Sequence, residues 1–81
     1  MDTNQNKSAE TLKIENQKGI ENHKKTAAHL ETAAKHHLEA AKHHEEGNED
    51  KAAKSTIKAH GHVALANEMQ REDTKRHAGN N

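Results

Sequence analysis

Apolar and polar residues recur along this chain with a period of seven. Residues 26–46 read Thr26-Ala-Ala-His-Leu-Glu-Thr32, then Ala33-Ala-Lys-His-His-Leu-Glu39, then Ala40-Ala-Lys-His-His-Glu-Glu46. A fainter copy, Gly19-Ile-Glu-Asn-His-Lys-Lys25, precedes them and keeps the Ile20 and His23 columns. A strict seven-residue period with alanine in two columns predicts a helix that packs on another helix along one seam. Placed at 100° per residue, Ile20, Ala27, Ala34 and Ala41 form one expected seam column, and His23, Leu30, His37 and His44 the other. His29, His36 and His43 fall at the edge of that arc, where solvated surface is the simplest expectation. Lys24, Lys35, Lys42, Glu31, Glu39 and Glu45 occupy the opposite face.

Gly47-Asn48 interrupts the pattern. Glycine suits the left-handed position that ends a helix, asparagine caps the next one, and Glu49 and Asp50 put negative charge in its first turn. A second helix is therefore expected over residues 49–77, closed by Lys75, Arg76 and His77 with Gly79 beyond. Its expected apolar arc holds Ala52, Ala53, Thr56, Ile57, Ala59, Val63, Ala64 and Ala66, with His60 in the middle; Leu65 and Met69 point away from it. A two-residue connection makes the helices antiparallel. At 1.5 Å per residue, spans 20–46 and 49–77 measure roughly 40 and 44 Å, so they match. The expected fold is all-α: an antiparallel two-helix hairpin over residues 19–79, dimerising into a four-helix bundle. A polar tail covers residues 1–18, helical in part at most from a Ser8 cap, because Gly19 costs roughly 1 kcal/mol relative to alanine. Residues 80–81 form a short tail.

Composition sharpens the case for self-association. The 81 residues contain no aromatic, proline or cysteine, and only 28% are apolar. Alanine buries little area per side chain, and at roughly 25 cal/mol per Å² such a core is thin against an ordering cost on the order of 1.5 kcal/mol per residue. A homodimer is the expected partner state. Thirteen basic and thirteen acidic residues cancel, so no standing field recruits nucleic acid or an anionic membrane. No apolar run is long enough to span a bilayer or to serve as a signal peptide, which makes the cytoplasm the expected location.

The nine histidines are the one candidate for chemistry. A single helix chelates an ion through two histidines three or four residues apart. The spacings on the first helix are one, six, seven and eight, and seven residues means roughly 10.5 Å of rise. Ligands must therefore come from mixed pairs, such as His36 or His43 with Glu39 and His43 with Glu46, or from across the hairpin. The cross-hairpin candidates are His36 and His37 with His60, and His23 with Asp73 and His77. Imidazole with carboxylate suits zinc, nickel or copper. His60-Gly-His62 is a poor chelate, since residues two apart point to different sides of a helix. Set against metal binding stand two other readings: histidine as a polar filler of a thin alanine seam, and histidine as a proton-linked switch, since unperturbed imidazoles titrate near pH ~6.5.

No Glu-x-x-His, His-Glu-x-x-His, phosphate-cradling glycine loop or cysteine nucleophile occurs, and neither Ser8 nor Ser55 has triad partners fixed by spacing. Enzymatic activity is not expected, and no small-molecule substrate is indicated. The run Ala33-Ala-Lys-His-His-Leu-Glu-Ala-Ala-Lys-His-His-Glu-Glu-Gly-Asn48, followed by Lys51-Ala-Ala-Lys-Ser-Thr-Ile-Lys-Ala-His-Gly-His62, resembles a group of small bacterial proteins rich in alanine and histidine. The resemblance implies a bacterial source and carries no activity with it. A looser similarity to alanine/lysine/glutamate-rich stress-protection helices rests on composition. The expected function is a small non-enzymatic histidine-rich protein that binds or buffers divalent transition metal. The alternative is a stress-associated or structural interaction module with a pH-sensitive histidine seam.

Overall fold

The computed structural model describes residues 9–79, which form two helices, α1 (Ala9–Glu45) and α2 (Glu49–Gly79), packed against each other as a hairpin. The expected all-α hairpin is what the chain adopts. The Ser8 cap and the tail residues 1–7 and 80–81 lie outside the described residues. α1 starts at Ala9, well before Ile20, and runs through Gly19 without a break. Helix propagation across one glycine costs roughly 1 kcal/mol, which the helix formers around it absorb. Among the described residues, no helix is long and apolar enough to cross a membrane.

The connection follows the expected turn chemistry. Gly47 is left-handed, with φ +76°. The Asn48 N–H donates to the His43 carbonyl at 2.8 Å and the Gly47 N–H to the His44 carbonyl at 3.0 Å. These two bonds close the end of α1 by satisfying carbonyls that the helix itself leaves open. Asn48 then opens α2: its Oδ1 accepts from the Lys51 N–H at 3.3 Å, and its carbonyl from the Ala52 N–H at 3.0 Å. With so few residues between the helices, α2 folds straight back along α1.

The seam is rotated by one residue from the expected register. On α1 the buried and half-buried positions are Gly19, Asn22, Thr26, His29, Ala33, His36, Ala40 and His43, bordered by Thr32 and Glu39. On α2 they are Ala52, Ser55, Ala59, His62, Ala66, Met69, Asp73 and Arg76, bordered by Asn48, Thr56 and Val63. Both sets step by threes and fours, so the seven-residue period holds while its phase does not. Ala27, Ala34, Ala41, His23, His37 and His44, placed in the seam by the sequence pattern, are exposed, as are Ile20 and Leu30. His29, His36 and His43, expected at the solvated edge, lie in the seam. On α2, Met69 turns inward, while Ile57 and His60 turn out.

The physical reason is the size of the seam residues. Ala52, Ala59 and Ala66 are completely buried, and Ala33 and Ala40 nearly so. An unbroken alanine column lets two backbones approach closely and gain dispersion contacts along their whole length, which isoleucine or leucine in the same place would prevent. Two threonines, Thr26 in the seam and Thr56 at its border, are satisfied locally: the Thr26 hydroxyl donates to the Asn22 carbonyl at 2.8 Å and the Thr56 hydroxyl to the Ala52 carbonyl at 2.8 Å.

Two glycines give opposite tests of this fold. An added Cβ at Gly47 meets nothing within 4 Å, so Gly47→Ala carries only the backbone cost of a left-handed residue, about 1–2 kcal/mol. Gly61 is exposed inside α2 with the same open surroundings, and Gly61→Ala gains about 1 kcal/mol of helix propensity. Thermal melts followed by circular dichroism should move down for Gly47→Ala and up for Gly61→Ala, each by several degrees, on the order of 4–8 °C per kcal/mol.

Candidate functional site: the histidine rows

The rotated seam divides the histidines into two rows. His29, His36, His43 and His62 are half-buried between the helices, whereas His23, His37, His44, His60 and His77 are exposed. Each exposed member stands one residue after a seam position, His60 after Ala59 among them. The paired histidines of the repeat therefore send one imidazole inward and the next outward.

The inner row contains a histidine–histidine contact across the seam. His29 Nδ1 and His62 Nδ1 are 3.0 Å apart, with ring centroids 5.2 Å apart and planes tilted by 31°. A hydrogen bond between them needs a proton on one Nδ1 and a lone pair on the other. The His36 ring lies nearly parallel to that of His62, its centroid 5.8 Å away with an interplanar angle of 18°. His36 Nδ1 is itself 2.9 Å from Glu39 Oε1. His43 Nδ1 is shielded from solvent and stands 3.5 Å from Glu46 Oε1, too far for a hydrogen bond of good geometry.

The outer row carries two of the expected groupings. His37 and His60 meet across the hairpin with ring centroids 5.7 Å apart and planes at 58°. His23 Nε2 and His77 Nε2 converge on the Asp73 carboxylate, at 3.6 and 3.7 Å. Arg76 also bonds that carboxylate, and the guanidinium already supplies the charge that a metal ion would bring. A metal at Asp73 would have to displace it. Near the turn, His44 Nδ1 lies 2.8 Å from Glu49 Oε1.

The expected ligand set is thus divided. His37 meets His60, and His23 and His77 meet at Asp73, but His36 does not reach His60; it packs on His62 and hydrogen-bonds Glu39. Among the described residues, no three histidine, aspartate or glutamate side chains converge to hold one metal ion. His29 and His62, whose Nδ1 atoms meet across the seam at 3.0 Å, were not among the expected ligands. The alanine column at 52, 59 and 66 was the signal that could have found His62: it is the longest unbroken alanine column of α2, and His62 lies three residues beyond Ala59 and four before Ala66.

Glu39 offers a direct check on this arrangement. The hydrogen bond from His36, aided by the charges of His36, Lys35 and Lys58, holds its carboxyl below the ordinary value of 4.5 despite some desolvation. A carboxylate with a lowered folded pKa contributes stability above its unfolded pKa and loses it as pH falls through the folded one. Nuclear magnetic resonance titration should give a Glu39 midpoint below 4.5, and His36→Ala should return it toward that value. A midpoint unchanged by the substitution would remove the His36 contact as the cause. No protein family, curated protein or solved structure matches this chain.

Proposed function

We propose that this chain is a small non-enzymatic helical module that self-associates, laying one flank of its hairpin face to face against a second copy. The observation that carries this reading is the segregation of fixed charge. The residues immediately following the seam positions are Ile20, His23, Ala27, Leu30, Ala34, His37, Ala41 and His44 on α1. On α2 they are Ala53, Thr56, His60, Val63, Asn67, Gln70, Thr74 and His77. Neither set contains a lysine, arginine, aspartate or glutamate. The residues immediately preceding the seam positions include Lys18, Glu21, Lys25, Lys35, Glu39 and Lys42, and on α2 Lys51, Lys54, Lys58, Glu68, Glu72 and Lys75.

In an antiparallel pair these two sets lie on opposite sides of the plane containing both helices. The His37–His60 ring contact joins α1 and α2 on the uncharged side. The charge effect of Lys58 on Glu39 joins them on the other. Ile20 is 47% and Leu30 40% exposed on the uncharged flank, with Leu38 and Ile57 at its border, 73% and 71% exposed. An uncharged surface with protruding aliphatics needs a partner equally free of charge, since an unpaired buried charge is expensive. A second copy turned by a two-fold axis supplies that surface with the same seven-residue spacing.

The area is adequate. The hairpin is 18 Å wide, and residues 20–44 rise about 36 Å, so the flank offers about 650 Å² per copy and about 1,300 Å² in total, within the range of specific interfaces. Association would bury the aliphatics that the alanine seam leaves outside, which supports a role as an assembly or interaction element.

Sedimentation equilibrium at roughly 100 µM chain, well above a micromolar dissociation constant, tests this at pH 8 with chelator present. The full chain should sediment as a dimer. Leu30→Glu on the uncharged flank should give monomers, and Leu65→Glu on the charged flank should leave the dimer intact. A monomeric full chain, or a dimer equally sensitive to Leu65→Glu, would sink the reading.

A further inference from the structure

The inner histidine row holds a nitrogen pair whose chemistry is independent of self-association. His29 and His62 come from different helices, stand in the same layer of the seam, and bring two Nδ1 atoms to 3.0 Å. We propose that they form a binding site for a divalent transition metal of the zinc, nickel and copper class, with two protein nitrogens as ligands and the remaining positions taken by water.

Separation is the first argument. Imidazole nitrogens bind zinc at about 2.0–2.1 Å, so two of them on one ion stand about 3.0–3.4 Å apart as the angle opens from square to tetrahedral. In the tetrahedral case the ring centroids are about 5 Å apart, and here they are 5.2 Å apart. The two lone-pair axes run nearly toward each other, so an ion enters when both rings turn about their centroids to aim at one point beside the line joining them.

Ligand chemistry is the second. The His29–His62 hydrogen bond uses a proton on one Nδ1. Metal binding at both Nδ1 atoms leaves each ring neutral with its proton on Nε2, so the donor ring changes tautomer through solvent and no net proton is lost. Neutral imidazole is a borderline ligand suited to copper, nickel and zinc. His36 has a positioning role. Its ring, stacked on His62 and tied by Nδ1 to Glu39, holds the His62 plane while taking no part as a ligand. Because the two ligands lie on different helices, an ion ties α1 to α2 and stabilises the hairpin by mass action.

Calorimetric titration of zinc chloride into the tag-free, chelator-treated full chain at pH 7.5, paired with thermal melts, tests the site. One zinc per chain should bind saturably and raise the melting temperature. His29→Ala and His62→Ala should each weaken binding by more than about tenfold and remove the thermal shift, while His37→Ala and His60→Ala, which empty the outer pair, should keep both. Non-saturating heat without a thermal shift, or loss of the shift in His60→Ala, overturns the proposal. Pulsed electron paramagnetic resonance on the unsubstituted protein with copper(II) needs no variant to fold: two equatorial imidazoles support the site, and one or none overturns it.

Discussion

Close approach of two alanine-lined backbones is the constraint on which the rest of this hairpin depends. Ala33 and Ala40 on α1 face Ala52, Ala59 and Ala66 on α2, and these five are the buried hydrophobic residues among those described. Such a seam gains contact by bringing main chains together, at the expense of side-chain volume. Leu12, Ile14, Ile20, Leu30, Leu38, Ile57 and Leu65 consequently remain outside. That is the reverse of the usual arrangement, in which the largest aliphatics fill the core. It leaves the hairpin with little buried area per residue and a reserve of unburied apolar surface, and both push in the direction of a second contact.

The placement of charge gives that surplus a direction. An exposed helix pair with no further contact would be expected to scatter lysine and glutamate over both of its sides. Here one side carries twelve lysines and glutamates beside Ala28, Thr32, Gly61 and Leu65, and the other is built from alanine, histidine, threonine and amide side chains around Ile20, Leu30 and Val63. Histidine suits such a surface because it is polar enough to remain solvated in the isolated hairpin, yet neutral above its titration range and therefore compatible with burial. Lysine at position 37 or 60 would keep the face soluble and closed to a like partner.

The architecture was legible in the sequence and the phase of the seam was not. Period, turn and antiparallel pairing rest on signals that act locally: the seven-residue recurrence, the left-handed Gly47 and the Asn48 cap. Phase depends on which of two adjacent stripes faces the partner helix. On α1 both contain alanine pairs, Ala33 with Ala40 and Ala34 with Ala41, so an apolar arc drawn by hydrophobicity is pulled toward Ile20, Leu30 and Leu38. Steric fit decides otherwise, because Ile20 and Leu30 would hold the backbones apart. The same one-residue shift moved His29, His36 and His62 inward and left His37 and His60 outside. The Asp73 grouping with His23 and His77 survived because its members pair by their distance from the two-residue turn, which the phase of the seam does not change.

With the phase known, the repeat can be decoded letter by letter. In Ala33-Ala-Lys-His-His-Leu-Glu39, Ala33 and His36 enter the seam, while Ala34 and His37 follow them onto the uncharged flank. Lys35 and Glu39 fall on the charged flank, and Leu38 takes the outermost position. The doublets Ala-Ala and His-His are therefore the imprint of two seven-residue stripes offset by one residue, about 100° apart on the helix surface. A helix that packs against a single neighbour has use for one such stripe. Two stripes of the same spacing suit a helix with two neighbours, one supplied by its own hairpin and the other by a further copy. The inner stripe sets the separation of α1 and α2, and through it the distance between His29 and His62. The outer stripe meets across the hairpin at the His37–His60 ring contact, outside the His29–His62 layer, so the seam pair and the uncharged flank can be altered one at a time.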